Sequence, residues 1–360
     1  MQKTIAEINV KAVAENASAF KKLTKTRLCA VVKADAYGHG AEKVALALAD
    51  IADCFAVAIA DEAVKIKSVA CGKDILVLTP PIDDEDAERI LENGFIASVA
   101  DLVTAKKIIR VWKRLCLSQK GGLIKSPRIH IKVNTGMNRY GASLQLLGKI
   151  CKYLKSEGVQ AEGLFSHLYL HERTVAEKQR LAFVKAQTVC KRYFSSFISH
   201  LSATYGGILG EKFAFDMVRI GLGLYGYLPD DTPNKTQMEE SLALRKAMRV
   251  KARAVCSKSY MDGGLGYMEG SVADKQKAAR HGISVVRFGY ADGFVRNALH
   301  GYKQIGGLCM DAQLSCGRLK KGAFIEIMSD AYQAAQHAGT ICYEILCNVT
   351  KRAEIVYLYE

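Results

Sequence analysis

Between residues 28 and 226 the chain repeatedly passes from a short apolar, β-branched run into a longer stretch of helical period, and this alternation restricts the fold more than any other feature. The strand-like runs fall at 28–33, 54–58, 74–79, 95–99, 128–133, 161–166, 198–202 and 218–226. Apolar residues recur at helical spacing at 41–49, 61–68, 84–92, 102–115, 146–156 and 175–193. This alternation is the sequence sign of βαβ units, whose parallel strands need a crossover connection. Eight of them in this length fit a (β/α)8 TIM-like barrel of the α/β class better than an open doubly wound sheet. An open sheet would place a G-x-G-x-x-G loop after its first strand, and Ala34-Asp35-Ala36-Tyr37-Gly38-His39-Gly40 lacks that order.

The barrel reading also locates function, since polar side chains at the C-terminal ends of barrel strands line the active face. Those ends carry Lys33, Lys132, His167, Thr204 and Arg219. Beyond residue 228 the texture changes to short strand-like runs at 248–256, 283–288, 323–328 and 341–346, separated by glycine-bearing turns. A polar, turn-rich stretch at 228–236 with Pro229 and Pro233 is the expected linker. The expected domains are a barrel over 1–228 and a mainly β C-terminal domain over 229–360.

Composition removes several classes. Apolar residues make up 49% and charged residues 24% of the chain, which excludes a disordered or collagen-like polypeptide. No apolar run reaches membrane-spanning length and MQKTIAEINVK lacks a signal core, so a cytoplasmic protein with no membrane partner is expected. The 11 cysteines show no C-x-x-C pair and no metal-ligand spacing, so neither a disulfide framework nor a metal site is expected. A net charge of +15 suits nucleic acid, an acidic surface or small anions. The basic run Lys106, Lys107, Arg110, Lys113 and Arg114 reads as a solvated helix face, and no nucleic-acid motif accompanies it, so nucleic acid is not an expected partner.

Lys33 closes the apolar run Cys29-Ala30-Val31-Val32. By position alone it is either a lysine whose stem covers apolar surface or an amine freed of its proton by desolvation for Schiff-base chemistry. Arg219 is similarly open, as a strand-end arginine paired with Asp216 or Glu211 or as a site residue.

The string AVVKADAYGHG closely resembles the pyridoxal-phosphate lysine motif of the alanine racemase family. Further blocks resemble that family in its order and at about its spacing: IKVNTGMNRYG at 131–141, SHL at 166–168, MVRIGLGLYGY at 217–227, GYADG at 289–293 and CMD at 309–311. Together they cover nearly the whole chain. The resemblance implies a pyridoxal 5'-phosphate-dependent racemase that interconverts L- and D-alanine, with serine or another small amino acid next. Such an enzyme is a homodimer with shared active sites, and its fold is a barrel followed by a β domain.

By the same resemblance Lys33 would hold the cofactor and act as acid/base on one face of the α-carbon. Tyr267, from the other subunit, would act on the opposite face. His167 and Arg219 would stabilise the phenolate that a basic tyrosine requires. Arg219 would also face the pyridine nitrogen, and because a guanidinium keeps its proton, the ring would remain a weak electron sink. Arg139 would contact the cofactor's phenolic oxygen and the substrate carboxylate, oriented by a lysine at Lys132 that many relatives carry as a carbamate. Met310, through its backbone N–H beside Asp311, would bind the same carboxylate. Tyr37, Thr204, Gly221 and Leu222 would hold the phosphate, and Tyr290, Arg296 and Glu172 would line the substrate entry.

The pattern also departs from the family. Lys351 stands where a phosphate-contacting tyrosine is usual, and Gly307 replaces an entry-channel arginine. Ser202-Ala203-Thr204 replaces an Asn-Ser pairing, and Asn134 stands for aspartate. The segment Met268-Glu269-Gly270-Ser271 is unlike the family consensus. These departures bear on pocket size and substrate choice. The alternatives are a broad-specificity racemase, a barrel-type pyridoxal-phosphate decarboxylase, or a non-catalytic relative that binds the cofactor or a partner protein.

Overall fold

A computed structural model of the chain describes residues 4–118, 126–170, 172–296 and 304–360. The chain divides into two compact units. One comprises Val13–Ala34 and Ala41–Arg245; the other comprises Met1–Ala12, Asp35–Gly40 and Lys246–Glu360. Strand β1 (Ile5–Asn9) therefore belongs with the C-terminal part of the chain.

The first unit is the barrel. Its strands are β2 (Arg27–Val31), β3 (Cys54–Val57), β4 (Asp74–Val77), β5 (Ile96–Val99), β6 (Ile129–Lys132), β7 (Gly163–Phe165), β8 (Ile198–His200) and β9 (Met217–Ile220). They form one parallel sheet of eight strands in the order β8-β7-β6-β5-β4-β3-β2-β9. Backbone bonds from Asp216 N to Ser199 O (3.0 Å) and from Arg219 N to Ser202 O (2.9 Å) bring the two ends of that order together. Strands β3, β5, β6 and β9 are buried at every position, as required of a parallel sheet covered on both faces. The helices between them start where side chains cap free backbone N–H groups. Asp83 accepts from Asp86 N, Asp101 from Thr104 N and Ser143 from Leu146 N.

Every barrel strand lies within a stretch expected from the sequence or begins one residue before it, and all but β5 stop one or more residues earlier. The shortfall has a functional consequence. Lys33, Ser166 and His167 lie just past strand ends, in the loops that carry chemistry in this architecture. The run 218–226 is a strand only to Ile220; a 3-10 turn, Leu222–Tyr225, follows it.

The second unit is built on a sheet of seven strands: β1, β10 (Met248–Lys258), β11 (Ile283–Val286), β12 (Gln304–Ile305), β13 (Gln313–Cys316), β14 (Phe324–Met328) and β15 (Glu354–Leu358). The long β10 pairs antiparallel with β1, β14 and β11, and a register shift between Ala254 and Cys256 interrupts its pairing with β11. Strand β15 runs parallel to β1. The strand expected at 341–346 is instead a helix, Cys342–Asn348. Its buried residues Cys342, Ile345 and Leu346 fall three and four apart, and that helical spacing outweighs the local apolar run.

Candidate active site

The loop after β2 has unusual backbone geometry. Ala34, Asp35, Ala36 and Tyr37 have φ between 52° and 55°, and Gly38 follows at 81°, so the segment Lys33–Gly38 is a left-handed helical turn. For residues with a Cβ this costs roughly 1–2 kcal/mol each, so contacts elsewhere must hold it. Within the barrel, Glu62 accepts from Ala34 N through Oε1 and from Ala58 N through Oε2, both at 2.7 Å. Within the second unit, His39 Nδ1 donates to the carbonyls of Ala36 and Tyr37, and Gly40 N to Asp35 O. Neighbouring backbone also requires Gly38, where a Cβ would lie 2.4 Å from Leu346 O. Tyr37 is thereby buried, with its ring 5.9 Å from that of Tyr343.

The other strand-end residues of the barrel gather positive charge. Arg219 on β9 is buried and donates through Nη1 to His200 Nδ1 (2.8 Å) and His200 O (2.9 Å). Through Nη2 it donates to Ser166 O (2.6 Å), Leu201 O (3.0 Å) and His167 Nδ1 (3.3 Å). Its Nε–H has no acceptor among the described residues. Burial lowers the guanidinium to about 10 without removing its charge. The alternative pairing with Asp216 or Glu211 does not occur, since Asp216 accepts from Ser199 N and Glu211 from Lys25.

Lys132 at the end of β6 is 5% exposed, with Nζ 4.5 Å from the Phe165 ring centroid. Burial, and then the charges of Arg219, Arg139 and Lys33, push its amine down to about 7. His167 is pushed well below the ordinary histidine value by burial and by the same cations together with Lys132. Among the described residues none of Lys132, Arg139 and Arg219 is ion-paired to a carboxylate. Neutral imidazoles and carbonyls hold the guanidinium without cancelling its field.

The loop that carries Arg139 explains one departure from the family pattern. Asn134 Oδ1 accepts from Gly136 N and Asn138 N, while its amide donates to Asn138 Oδ1 (2.8 Å). An aspartate could not make that donation, so Asn134 and Asn138 act as a pair and leave the loop uncharged at both positions. Arg139 itself is exposed. Thr204 Oγ1 accepts from Gly223 N (3.1 Å), tying the helix Thr204–Ile208 to the Leu222–Tyr225 turn that Gly221 precedes.

The second unit holds the remaining residues singled out by sequence. Tyr267 occupies a tight turn closed by a bond from Leu265 N to Met268 O (2.8 Å), and its side chain is 75% exposed. Leu265 anchors the turn in a small core with Ala278, Ile283 and Ile305. Tyr290 N and Ala291 N donate to Cys309 O and Met310 O, so the Tyr290–Asp292 turn lies against Met310. Asp311 is engaged by Arg352 Nη1 at 2.7 Å. Where Gly307 replaces a larger residue, Met268 covers the position, with Cγ and Sδ 2.7 Å from where a Cβ would stand. Glu172 and Arg296 are exposed.

Four contributors were not singled out by sequence. His200 and His130 lie inside strand runs that read only as buried; Gln179 donates to His167 O from a helix interior; Glu62 braces Ala34. A polar residue in the middle of a buried strand was the available signal for the two histidines.

The family description "Alanine racemase, N-terminal domain" matches residues 8–229, and "Alanine racemase, C-terminal domain" matches residues 247–357. The chain belongs to the alanine racemase family. It is 30% identical to alanine racemase 2 of Oceanobacillus iheyensis, over 99% of this chain and 93% of that protein. It is also 30% identical to alanine racemase of Prochlorococcus marinus, over 98% and 95%. The solved structure of Clostridium difficile alanine racemase in complex with cycloserine superposes with a TM-score of 0.84 at 27% identity, covering 99% of this chain and 96% of that one. The family is one of isomerases, and the barrel with a mainly β C-terminal domain is its fold. No helix among the described residues is long and apolar enough to cross a membrane.

Proposed function

We propose that the protein interconverts L- and D-alanine with pyridoxal 5'-phosphate, as a homodimer whose sites combine residues of both copies. The observation that carries this reading is the buried guanidinium of Arg219, held by neutral acceptors beside Lys132 and His167 with no carboxylate paired to it. The positive field of such a set suits an anionic cofactor and an amino-acid carboxylate nearby, and the cofactor would supply stabilisation of a carbanion at the α-carbon.

Lys33 would hold the cofactor through its amine and would serve as the acid/base on one face of the α-carbon. Arg219 Nε–H would face the pyridine nitrogen and keep its proton, because the guanidinium stays well above neutrality despite its burial. That favours proton transfer over decarboxylation, whose carbanion needs a stronger sink. Arg219 also fixes the His167 tautomer: Nδ1 accepts, so the proton sits on Nε2. His167 Nε2–H is then a donor for the phenolate oxygen of Tyr267 from the other copy. The exposure of Tyr267 and Met310 supports that arrangement, since an acid/base acts in an enclosed site. Arg139 and the Met310 N–H of the other copy would bind the substrate carboxylate, while Tyr37, Thr204, Gly221 and Leu222 would receive the phosphate. Alanine is the favoured substrate and serine the next; Met268 fills the space left at Gly307, which argues against a general widening there.

The test is proton NMR in D2O with the cofactor and single enantiomers of alanine and serine, followed by chiral chromatography. Loss of the α-proton with appearance of the opposite enantiomer, fastest for alanine, is the expected result. Cofactor binding without exchange, or release of carbon dioxide, overturns the reading.

A further inference from the structure

We infer that His130, a residue remote from the reacting groups, is a positioning residue for Arg219, acting through His200 by fixing the tautomer of each histidine in turn. The direction of this column follows from donor chemistry. A guanidinium only donates, so His200 Nδ1, 2.8 Å from Arg219 Nη1, must accept and its proton must lie on Nε2. His200 Nε2 is 2.9 Å from His130 Nδ1, which therefore accepts, placing the His130 proton on Nε2 as well. His130 in turn lines a cavity of about 300 Å³ at the opposite, N-terminal end of the barrel strands, whose charged members are Arg27, Asp53, Asp74, Arg128 and Glu162. There Arg128 is bound by Asp74 and Glu162. The column thus runs from the candidate site through the barrel interior, with one hydrogen-bond direction throughout.

Three features show that the column is built into the fold. Gly163 stands opposite His130 in the β6–β7 register, and a Cβ there would lie 2.5 Å from His130 Cγ, so only glycine lets the ring occupy its place. Phe165 stacks on His200 at 4.9 Å and 2°, holding that ring in one plane. Burial pushes His130 down to about 3 and His200 well below its usual value, so both are neutral acceptors at physiological pH. The charges acting on them are Arg219 from β9, Lys132 at the end of β6, and Asp74 with Arg128 at the cavity. Without the His130 acceptor, the Arg219 contact alone favours the proton on His200 Nε2, and that buried N–H loses its partner, a cost that favours the other tautomer. The other tautomer would present an N–H to Arg219 and displace the guanidinium.

For its effect on rate the inference rests on the proposed role of Arg219; for the tautomers it does not. The test pairs His130→Asn, whose Oδ1 replaces the Nδ1 acceptor, with His130→Leu, which has nearly the same shape and no acceptor. Gly163→Ala leaves His130 in place chemically but displaces its ring. Histidine 15N spectra of the full chain, assigned with His130→Asn and His200→Asn, should show His130 and His200 as Nε2–H tautomers that do not titrate from about pH 6 to 9. His200 should keep that tautomer in His130→Asn and lose it in His130→Leu and Gly163→Ala. In the loaded enzyme kcat should fall about tenfold from His130→Asn to His130→Leu, the scale of one hydrogen bond between neutral groups, with KM for alanine nearly unchanged. An Nδ1–H tautomer of His200 in the unmodified protein, or the same His200 spectrum in the Asn and Leu variants, overturns the inference. Tautomers as expected in a protein that does not racemise alanine would overturn the proposed function and leave the column standing.

Discussion

Lys132 gives a stability prediction whose sign and pH dependence both follow from its surroundings. Burial and three neighbouring cations bring its amine from 10.5 to about 7. In the unfolded chain the same amine is protonated up to its ordinary value, so between about pH 7 and 10.5 the unfolded state binds the extra proton and stability rises with pH. The span corresponds to roughly 5 kcal/mol of destabilisation, fully present below pH 7 and gone above the unfolded value. The Phe165 face, 4.5 Å from Nζ, offsets up to about 2 kcal/mol of this by attracting the charged form.

Lys132→Met keeps the length of the side chain and removes the charge. At pH 7 it should stabilise the cofactor-free protein by roughly 3–5 kcal/mol, and the gain should shrink with a slope approaching 1.4 kcal/mol per pH unit. Urea unfolding of both proteins at pH 7, 8, 9 and 10 in carbon dioxide-free buffer measures it, taking the difference in midpoint multiplied by m. Adding bicarbonate provides a second arm. A neutral amine among cations adds to carbon dioxide, releasing a proton and forming a carbamate whose negative charge suits the cluster, so the unsubstituted protein should gain stability and Lys132→Met should not. A difference that is constant from pH 7 to 10, or a Met variant less stable at pH 7, refutes the reasoning.

Three further outcomes are expected. Ala34→Gly, at an exposed position with φ of 52°, should stabilise by roughly 0.5–1 kcal/mol, where the same change in an ordinary helix destabilises by that amount; thermal melts decide the sign. Gly289→Ala places a Cβ 2.1 Å from Met310 O and should cost about 3 kcal/mol or more, read by urea titration; a loss under about 1 kcal/mol would mean that the Tyr290–Met310 turn yields freely. Tyr267→Phe should slow α-proton exchange from one alanine enantiomer far more than from the other in D2O, and equal losses would count against a two-base reaction.

The barrel was legible because its strands are continuous apolar runs and its helices carry their own caps, signals that survive without tertiary context. Lys33, Lys132, His167 and Arg219 were legible for a related reason: a charged residue closing an apolar strand is conspicuous. The left-handed turn after Lys33 was not, because alanine has no preference for that conformation and the contacts that hold it come from Glu62 and Leu346, distant in sequence. Strand β1 was missed because its partners β10 and β15 lie at the other end of the chain. His130 and His200 stayed hidden because a strand buried on both faces gives no alternation from which to read which side chains point inward.

The same residues show why this interior tolerates so much charge. Burying several cations together is costly, and the fold reduces the cost chiefly by removing protons: His130, His167 and His200 are neutral, and Lys132 is close to it. Arg219 cannot follow, and its charge is instead spread over five acceptors that carry no charge themselves. A carboxylate at the position of His200 would stabilise the empty protein better, but it would cancel the field that an anionic ligand meets. Neutral histidines leave the guanidinium anchored and its field intact, so the stability given up in the barrel interior is recovered when negative charge binds there.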